Sequence, residues 1–283
     1  MAAHHTIRAD VGSVLSLDTI RQHVPSVFAD KPADTVSARY GFVPTVAIVE
    51  ELQKTGLQVV QAGQSISRKP GGKLYTRHVL RFRPTFAPTL AGGTLPEVVL
   101  VNSHNGASGF KLWAGLFRMV CANGLIVADS TIGAISVSHR ASAPEVISRQ
   151  SLEFLGTVDG ISERVERFSA VPLQEEQTFA LANHAANLRW GSSRPAGLNH
   201  RDLLTARRYS DAQRNLWHVM NTIQENVIKG GVQLLRTGRR SSTRSLSSVR
   251  EDIRFNAGLW GAAERLANGE PLVQDVELNT VLD

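Results

Sequence analysis

The sequence predicts an α+β fold, with an antiparallel or mixed sheet and packed helices in the N-terminal half and a helical C-terminal half. In residues 57–83, side chains of similar polarity recur at every second position, which is the period of a β-strand. Beyond Pro144, apolar residues recur at the three- and four-residue spacing of amphipathic helices. Residues 1–143 and 144–283 are therefore predicted to be an α+β domain and a helical region packed on it, or parts of one domain.

The N-terminal segment predicts two helices after an irregular start. Residues 1–10 are polar and are expected to be loose. A helix is expected over Leu17–Phe28, because Ser16 is a suitable N-cap and the apolar residues are in helical register. A second helix follows Pro44 and ends at Gly56.

A β-hairpin is predicted next, formed by strands Leu57–Ser67 and Leu74–Arg83 around a tip at Arg68–Lys73. Pro-Gly-Gly in the tip supplies the turn conformations. One face of the return strand is mostly apolar. The other face is expected to carry Tyr75, Arg77, Val79, Arg81 and Arg83.

Leu95–Asp129 is predicted to be the central unit, a strand, a polar turn, a helix and a second strand. Val98–Val101 forms the first strand in this interpretation, and a helix begins near Ser108. Its apolar stripe comprises Leu112, Leu116, Met119 and Val120, and its buried surface includes Cys121. Asn123-Gly124 ends the helix, and Leu125–Ala128 is the second strand.

The remaining residues are predicted to form one short strand, Ile135–Arg140, and then helices. The helices are expected over Val146–Phe168, Pro172–Trp190, Asp211–Lys229 and Ser248–Ala267.

Composition and charge narrow the classes of protein. The chain has one cysteine and no apolar run long enough to cross a membrane, which favours a cytoplasmic protein with no membrane partner. Its net charge of +6 is uneven, since residues 1–150 carry 15 Lys and Arg against 9 Asp and Glu. A basic N-terminal half indicates a polyanionic partner.

Two windows, between Glu51 and Glu97 and between Glu225 and Glu251, lack acidic residues and are predicted to contact nucleic acid. Arginine dominates both windows, which favours bidentate contacts with phosphate. Tyr75 has the chemistry to stack on a base. The candidate contact residues are Arg68, Lys69, Lys73, Tyr75, Arg77, Arg81 and Arg83 in the first window, and Lys229, Arg236, Arg239, Arg240 and Arg244 in the second.

An alternative polar site lies in the turn formed by Asn102, Ser103, His104 and Asn105. Such a turn can bind an anion or hold a catalytic base, and the same residues also suit a purely structural connection. No metal-ligand spacing, nucleotide-binding glycine motif or cofactor motif is present in the sequence. A non-enzymatic role is therefore favoured, with no metal and no cofactor.

Several segments resemble a family of phage- and plasmid-borne proteins grouped as domain of unknown function 932. They run in order along the chain, and no catalytic residue is implied by the resemblance. The association with mobile elements implies a role in handling DNA or in defending the DNA of the element. The matching segments are Ser37–Thr45, His78–Arg83, Leu100–Gly106, Gly115–Leu125, Leu216-Trp217, Asn221 and Gln224–Gly231.

The leading hypothesis from the sequence is a phage- or plasmid-type protein that binds single-stranded DNA through the basic hairpin, with possible annealing in recombination. A homo-oligomer is expected, because repeated sites increase the avidity for an extended strand. One alternative is an enzyme acting on nucleic acid or nucleotides through residues 102–108. Another is an inhibitor or partner of a host defence or replication protein.

Overall fold

The computed structural model describes residues 4–10, 12–38, 40–85, 89, 93–119, 123–127, 135–137, 158–235 and 241–272. It confirms the α+β class, with a large antiparallel sheet in the N-terminal half and helices in the C-terminal half. The chain divides into two compact units, formed mainly by residues 1–159 and by residues 160–281.

The first unit is built on a sheet in which seven strands are described. Sequence neighbours from β1 to β6 pair in order, every pair is antiparallel, and β7 pairs with β5. The strands are β1 His4–Arg8, β2 Leu57–Ser65, β3 His78–Pro84, β4 Thr94–Asn102, β5 Phe110–Arg118, β6 Asn123–Val127 and β7 Ile135–Val137.

Two helices and a 3₁₀ turn pack against this sheet. Helix α1 spans Leu17–His23, a 3₁₀ turn follows at Pro25–Phe28, and α2 spans Thr45–Lys54. Strand register places Leu80, Leu100 and Leu112 on one sheet face, and all three are fully buried. The apolar side of α2 is buried too, which removes its surface from water and stabilises the unit.

The predicted central helix is wrong, because the residues from Phe110 to Arg118 form strand β5. Leu112 and Leu116 are four residues apart, and a separation of four places two side chains on one face of a strand as well as on one stripe of a helix. Trp113 on the opposite face is also buried, so the segment is apolar on both sides. The strand predicted over Leu125–Ala128 is present as β6, but it begins at Asn123, so Asn123 and Gly124 belong to the strand and do not end a helix.

Two further expectations for the first unit are corrected. Residues 4–8 are not loose, since they pair with β2 from His4 against Ser65 to Arg8 against Gln61. The return strand of the hairpin begins at His78 rather than Leu74, because Gly72–Leu74 form a 3₁₀ turn. The prediction for Cys121 lies outside the described residues.

The second unit contains most of the predicted C-terminal helices, and those predicted to begin at Pro172, Asp211 and Ser248 begin later along the chain. Residues 146–157 of the helix predicted over Val146–Phe168 lie outside the described residues. The helices are α3 Val158–Ala170, α4 Glu175–Trp190, α5 Leu216–Lys229 and α6 Val249–Ala267, and a small ribbon pairs β8 Gln233–Leu234 with β9 Ser241–Ser242. Phe168 and Trp260 pack in its core with ring centroids 5.0 Å apart. Among the described helices, none has the length and apolar character to cross a membrane.

Candidate nucleic-acid interface

The two sites that the sequence predicted separately in the N-terminal half lie side by side at one end of the sheet. We call Ile66–Arg77, which joins β2 to β3, the basic loop, and Ser103–Gly109, which joins β4 to β5, the polar loop. Their backbones are linked, because the His104 amide donates to the carbonyl oxygen of Tyr75 at 3.1 Å. The Arg77 guanidinium also donates to the carbonyl oxygen of Ala107.

The basic loop has a defined conformation held by buried groups. Gly71 adopts a φ of 69°, a left-handed conformation that residues with a Cβ adopt only at a cost in conformational energy. The Gln64 side chain is 2% exposed and donates to the carbonyl oxygen of Lys73 at 3.3 Å. Its own Oε1 accepts from the backbone N–H and the hydroxyl of Ser26, at 3.1 and 2.9 Å. The loop is thus anchored to the packed helical layer.

The cations of the basic loop are presented to solvent. Arg68, Lys69 and Lys73 are exposed, and none of them forms an ion pair with a carboxylate of the described residues. Exposed apolar side chains flank them, with Ile66 at 51% and Leu74 at 43% exposure. Tyr75 and Arg77 are partly exposed. The loop therefore combines positive charge with apolar surface.

The predicted basic face of β3 is wrong for Arg81 and Arg83, which are buried inside the first unit. Arg81 Nη1 lies 3.0 Å from Glu97 Oε2, and Arg83 Nη2 lies 2.8 Å from Glu97 Oε1. The cause is the register of the sheet, which pairs Arg81 with Val99 and so brings Glu97 of β4 onto the same face. Neither arginine is placed to contact a phosphate backbone.

The second window is partly described, and its residues belong to the second unit. Lys229 Nζ lies 2.8 Å from Glu225 Oε1, so its charge is already balanced. The same Glu225 pairs with Arg208, whose pKa is raised chiefly by its hydrogen bond to that carboxylate. Arg244 is exposed. Arg236, Arg239 and Arg240 lie outside the described residues.

A buried polar cluster supports the polar loop from beneath. Asn102, Ser103 and His104 are fully buried, whereas Asn105 is exposed. The Thr45 hydroxyl at the start of α2 joins three of the cluster's side chains. Its Oγ1 lies 2.9 Å from Asn102 Nδ2, 2.9 Å from His78 Nε2 and 3.3 Å from His104 Nε2.

Burial disfavours charge on two residues of this cluster, His78 and Tyr40. Desolvation, with a smaller coulombic contribution from His104, lowers the pKa of His78 from its ordinary value to about 3. Desolvation also raises the pKa of Tyr40 to about 12, and the Tyr40 hydroxyl donates to the carbonyl oxygen of Ser103 at 2.7 Å. Buried groups that form hydrogen bonds with one another in this way rigidify a fold, and here they fix the end of the sheet that carries both loops.

Sequence reasoning missed four residues that hold this end of the sheet: Tyr40, Thr45, Gln64 and His78. For three of these residues, the family resemblance of their segments was a signal in the sequence. Tyr40, Thr45 and His78 belong to the segments that carried the family resemblance, as do Asn102 and His104. Three of those separated segments meet in one cluster. In the described part of the chain, no group of His, Cys, Asp and Glu has the geometry of a metal site.

Comparison of the chain with known proteins identifies the family to which its sequence is similar. A family model described as a domain of unknown function (DUF932) matches residues 32–260. Two proteins of Escherichia coli strain K12 are similar over 253 residues, UPF0380 protein YafZ at 34% identity and UPF0380 protein YfjQ at 32%. In both cases the similarity covers 89% of this chain and 91% of the relative. No solved structure matches the chain.

Proposed function

This chain belongs to the DUF932 family, and we propose that it binds single-stranded nucleic acid, preferably DNA, through the basic loop of the first unit. The observation that carries the proposal is the exposure of Arg68, Lys69 and Lys73 on one anchored loop. No carboxylate of the described residues forms an ion pair with these three cations. Cations in this state release counterions from a phosphate backbone when they bind it.

The apolar surface of the loop favours a single strand over a duplex. Ile66 and Leu74 are about half exposed, and Tyr75 is partly exposed next to them. The faces of the bases are stacked inside a duplex but are open in a single strand, where apolar and aromatic side chains contact them. A loop that offers both cations and apolar side chains therefore suits an unpaired strand.

Anchoring of the loop strengthens the proposal. Gln64 and the backbone link between Tyr75 and His104 hold the loop before any ligand arrives. A preorganised loop loses less conformational entropy on binding, so more of the contact energy appears as affinity. The buried polar cluster acts in this proposal as the support of the binding surface.

The direct test is fluorescence anisotropy of a labelled oligothymidylate over a salt series. The triple substitution Arg68→Gln, Lys69→Gln, Lys73→Gln is expected to reduce the slope of log K against log salt by about 2, at about 0.7 for each phosphate contact on single strands. Binding that is independent of salt, or unchanged in the triple variant, contradicts the proposal.

A matched pair of single variants controls for general charge. Lys69→Gln and Lys54→Gln each remove one lysine from the first unit, but Lys54 lies on α2 and pairs with Glu51 at 2.5 Å. Only Lys69→Gln is expected to change the salt slope. Equal effects of both variants would indicate non-specific attraction by the net charge. The same labelled strands test annealing, and light scattering tests the expected homo-oligomer.

The alternative of an enzyme centred on the polar loop receives less support from the geometry. Asn102, Ser103 and His104 are fully buried and engaged in hydrogen bonds within the fold. Asn105 is the exposed member of the set, so Asn105→Ala is the informative variant. Loss of cleavage of a labelled strand at unchanged stability would favour the enzyme hypothesis.

The alternative of a host-protein partner uses the same basic loop against an acidic protein surface. Capture from a nuclease-treated lysate with the wild-type chain and the triple variant separates the two kinds of ligand. A protein that depends on the three cations after nuclease treatment would favour this alternative. Loss of every loop-dependent ligand after nuclease treatment favours nucleic acid.

A further inference from the structure

The second unit contains a cavity of about 450 Å³ that the proposed function does not use. Its volume lies within the range of roughly 300–1,000 Å³ that is typical of small-molecule sites. Buried side chains of α5 and of the segment before α4 form part of its lining. The residues that line the cavity include Leu173, Phe179, Arg201, Asp211, Arg214 and Thr222.

The hydroxyl of Thr222 is the feature that points to a ligand. Thr222 lies on α5, its side chain is 5% exposed, and it lines the cavity. Its Oγ1 is buried and has no hydrogen-bond partner among the described residues. Threonine in a helix commonly donates to the carbonyl oxygen of the preceding turn, and buried polar atoms are nearly always paired. Threonine in a helix has two accessible χ1 rotamers, so a turn about this bond would bring the Thr222 hydroxyl to a ligand atom in the cavity.

The charges around the cavity favour an anionic ligand. Arg201 and Arg214 are exposed at the cavity, and neither forms an ion pair with a described carboxylate. The buried carboxylate of Asp211 already pairs with Arg208 at 2.9 Å. Glu175 is the other acidic lining residue and is exposed. The two arginines and Glu175 leave one net positive charge.

The remaining walls suit the faces of a planar ring. Leu173 and Val219 are buried apolar residues, and Phe179 adds an aromatic ring. The Arg201 guanidinium lies 4.1 Å from the centroid of the Phe179 ring, so cation and ring form one surface. The cavity therefore offers two exposed arginines, apolar walls and a hydroxyl-bearing residue in its lining.

We propose that this cavity binds one nucleotide, with the phosphate at Arg201 and Arg214 and the edge of the base at the Thr222 hydroxyl. Base edges carry both donors and acceptors, which match a hydroxyl that can act as either. The nucleotide is either free or part of a single strand, and both sources have the same chemistry. The proposal does not depend on the basic loop, since all the lining residues belong to the second unit.

Thr222→Val is the decisive variant, because valine keeps the shape and removes the hydroxyl. Isothermal titration with thymidine monophosphate and adenosine monophosphate is expected to show binding to the wild-type chain that weakens about tenfold in the variant. The melting temperature of the unliganded chain is expected to stay constant or rise, because an unpaired buried hydroxyl is removed. A variant that is less stable and binds as well as wild type overturns the proposal.

Arg214→Gln tests the phosphate end, with Arg250→Gln as a matched exposed arginine on α6 away from the cavity. Arg214→Gln is expected to weaken thymidine monophosphate severalfold and to leave thymidine unchanged. Equal loss for nucleoside and nucleotide would contradict the assignment of the phosphate.

A short oligothymidylate distinguishes the two sources of the nucleotide. Weaker oligothymidylate binding by Thr222→Val assigns the cavity to a strand, and weaker binding of the monophosphate alone assigns it to a free nucleotide. The proposal fails if neither mononucleotide binds at millimolar concentration and the oligothymidylate is insensitive to both variants. The triple variant of the basic loop leaves mononucleotide binding intact, so failure of one proposal is distinguishable from failure of the other.

Discussion

The tip and the stem of the same hairpin carry the same type of side chain in opposite environments. Arg68, Lys69 and Lys73 at the tip are exposed, whereas Arg81 and Arg83 in the stem are buried against Glu97. The difference arises from pairing, since β3 has a neighbour on each side and the tip has none. A run of basic residues in a sequence therefore does not define a basic surface until the strand register is known.

The largest expected effect comes from breaking the buried charges of the stem. Glu97→Gln leaves two buried guanidinium groups without their carboxylate and is expected to reduce the free energy of unfolding by about 3–5 kcal/mol. Urea denaturation measures the change. Glu51→Gln is the control, because the Glu51–Lys54 pair is largely exposed and contributes at most about 1 kcal/mol. Similar losses for both variants would show that the burial of Glu97 is unimportant.

The next effect concerns pH and His78, the buried histidine of β3 that belongs to the polar cluster. The pKa of His78 is about 3 in the folded chain and near 6.5 when unfolded, so the unfolded state takes up a proton first as the pH falls. The stabilisation is complete above pH 6.5 and is lost toward pH 3. Between pH 6.5 and pH 5 the loss from this group is about 1.6 kcal/mol.

Comparison of wild type with His78→Gln isolates this contribution. The free energy of unfolding of the wild-type chain relative to that of the variant is expected to fall by about 1.6 kcal/mol from pH 6.5 to pH 5. Urea denaturation at the two pH values provides the measurement. A constant difference would mean that His78 is able to protonate in the folded chain.

A smaller effect is expected from the backbone of the tip. Gly71→Ala places a side chain at a φ of 69° and is expected to cost about 1 kcal/mol, although a Cβ there meets no atom within 4 Å. Gly109→Ala in the polar loop is the matched control, since a Cβ there also meets nothing and its φ is not left-handed. Denaturation of both variants separates backbone strain from the loss of a glycine. Equal stability would contradict the left-handed conformation.

The smallest effect on stability is expected from the three cations of the tip. The triple glutamine variant is expected to change the free energy of unfolding by no more than about 0.5 kcal/mol, because exposed charges contribute little to folding. Circular dichroism during urea denaturation checks this. A large loss would mean that the cations stabilise the fold, and the reduced salt slope would then no longer report on binding alone.

Much of the fold could be predicted from the sequence, but less of the candidate site. Alternation over residues 57–83 and helical spacing in the C-terminal half predicted the fold class, because local periodicity records local structure. The partner of Arg81 could not be read in this way. Glu97 ended the window without acidic residues, yet the pairing of β3 with β4 places it beside both stem arginines. Contacts set by register between distant residues leave no local periodic signal.

The same reason explains why the polar cluster was seen only in part. His104 and Asn102 were noticed as members of a polar turn, but Thr45 and His78 were not connected with them. These four residues come from three segments, and their meeting depends on α2 packing against the sheet. The polar character of the turn was visible in the sequence, whereas its burial was not.

The strand order also has a consequence for folding. Strands β2 to β6 pair with their neighbours along the chain, so each pairing closes a short loop. Strand β1 pairs with β2 across an intervening stretch of more than forty residues, and β2 is its one neighbour among the strands that the structure describes. We expect β1 to dock last during folding. Its amides are therefore expected to exchange with deuterium well before those of β3 and β4.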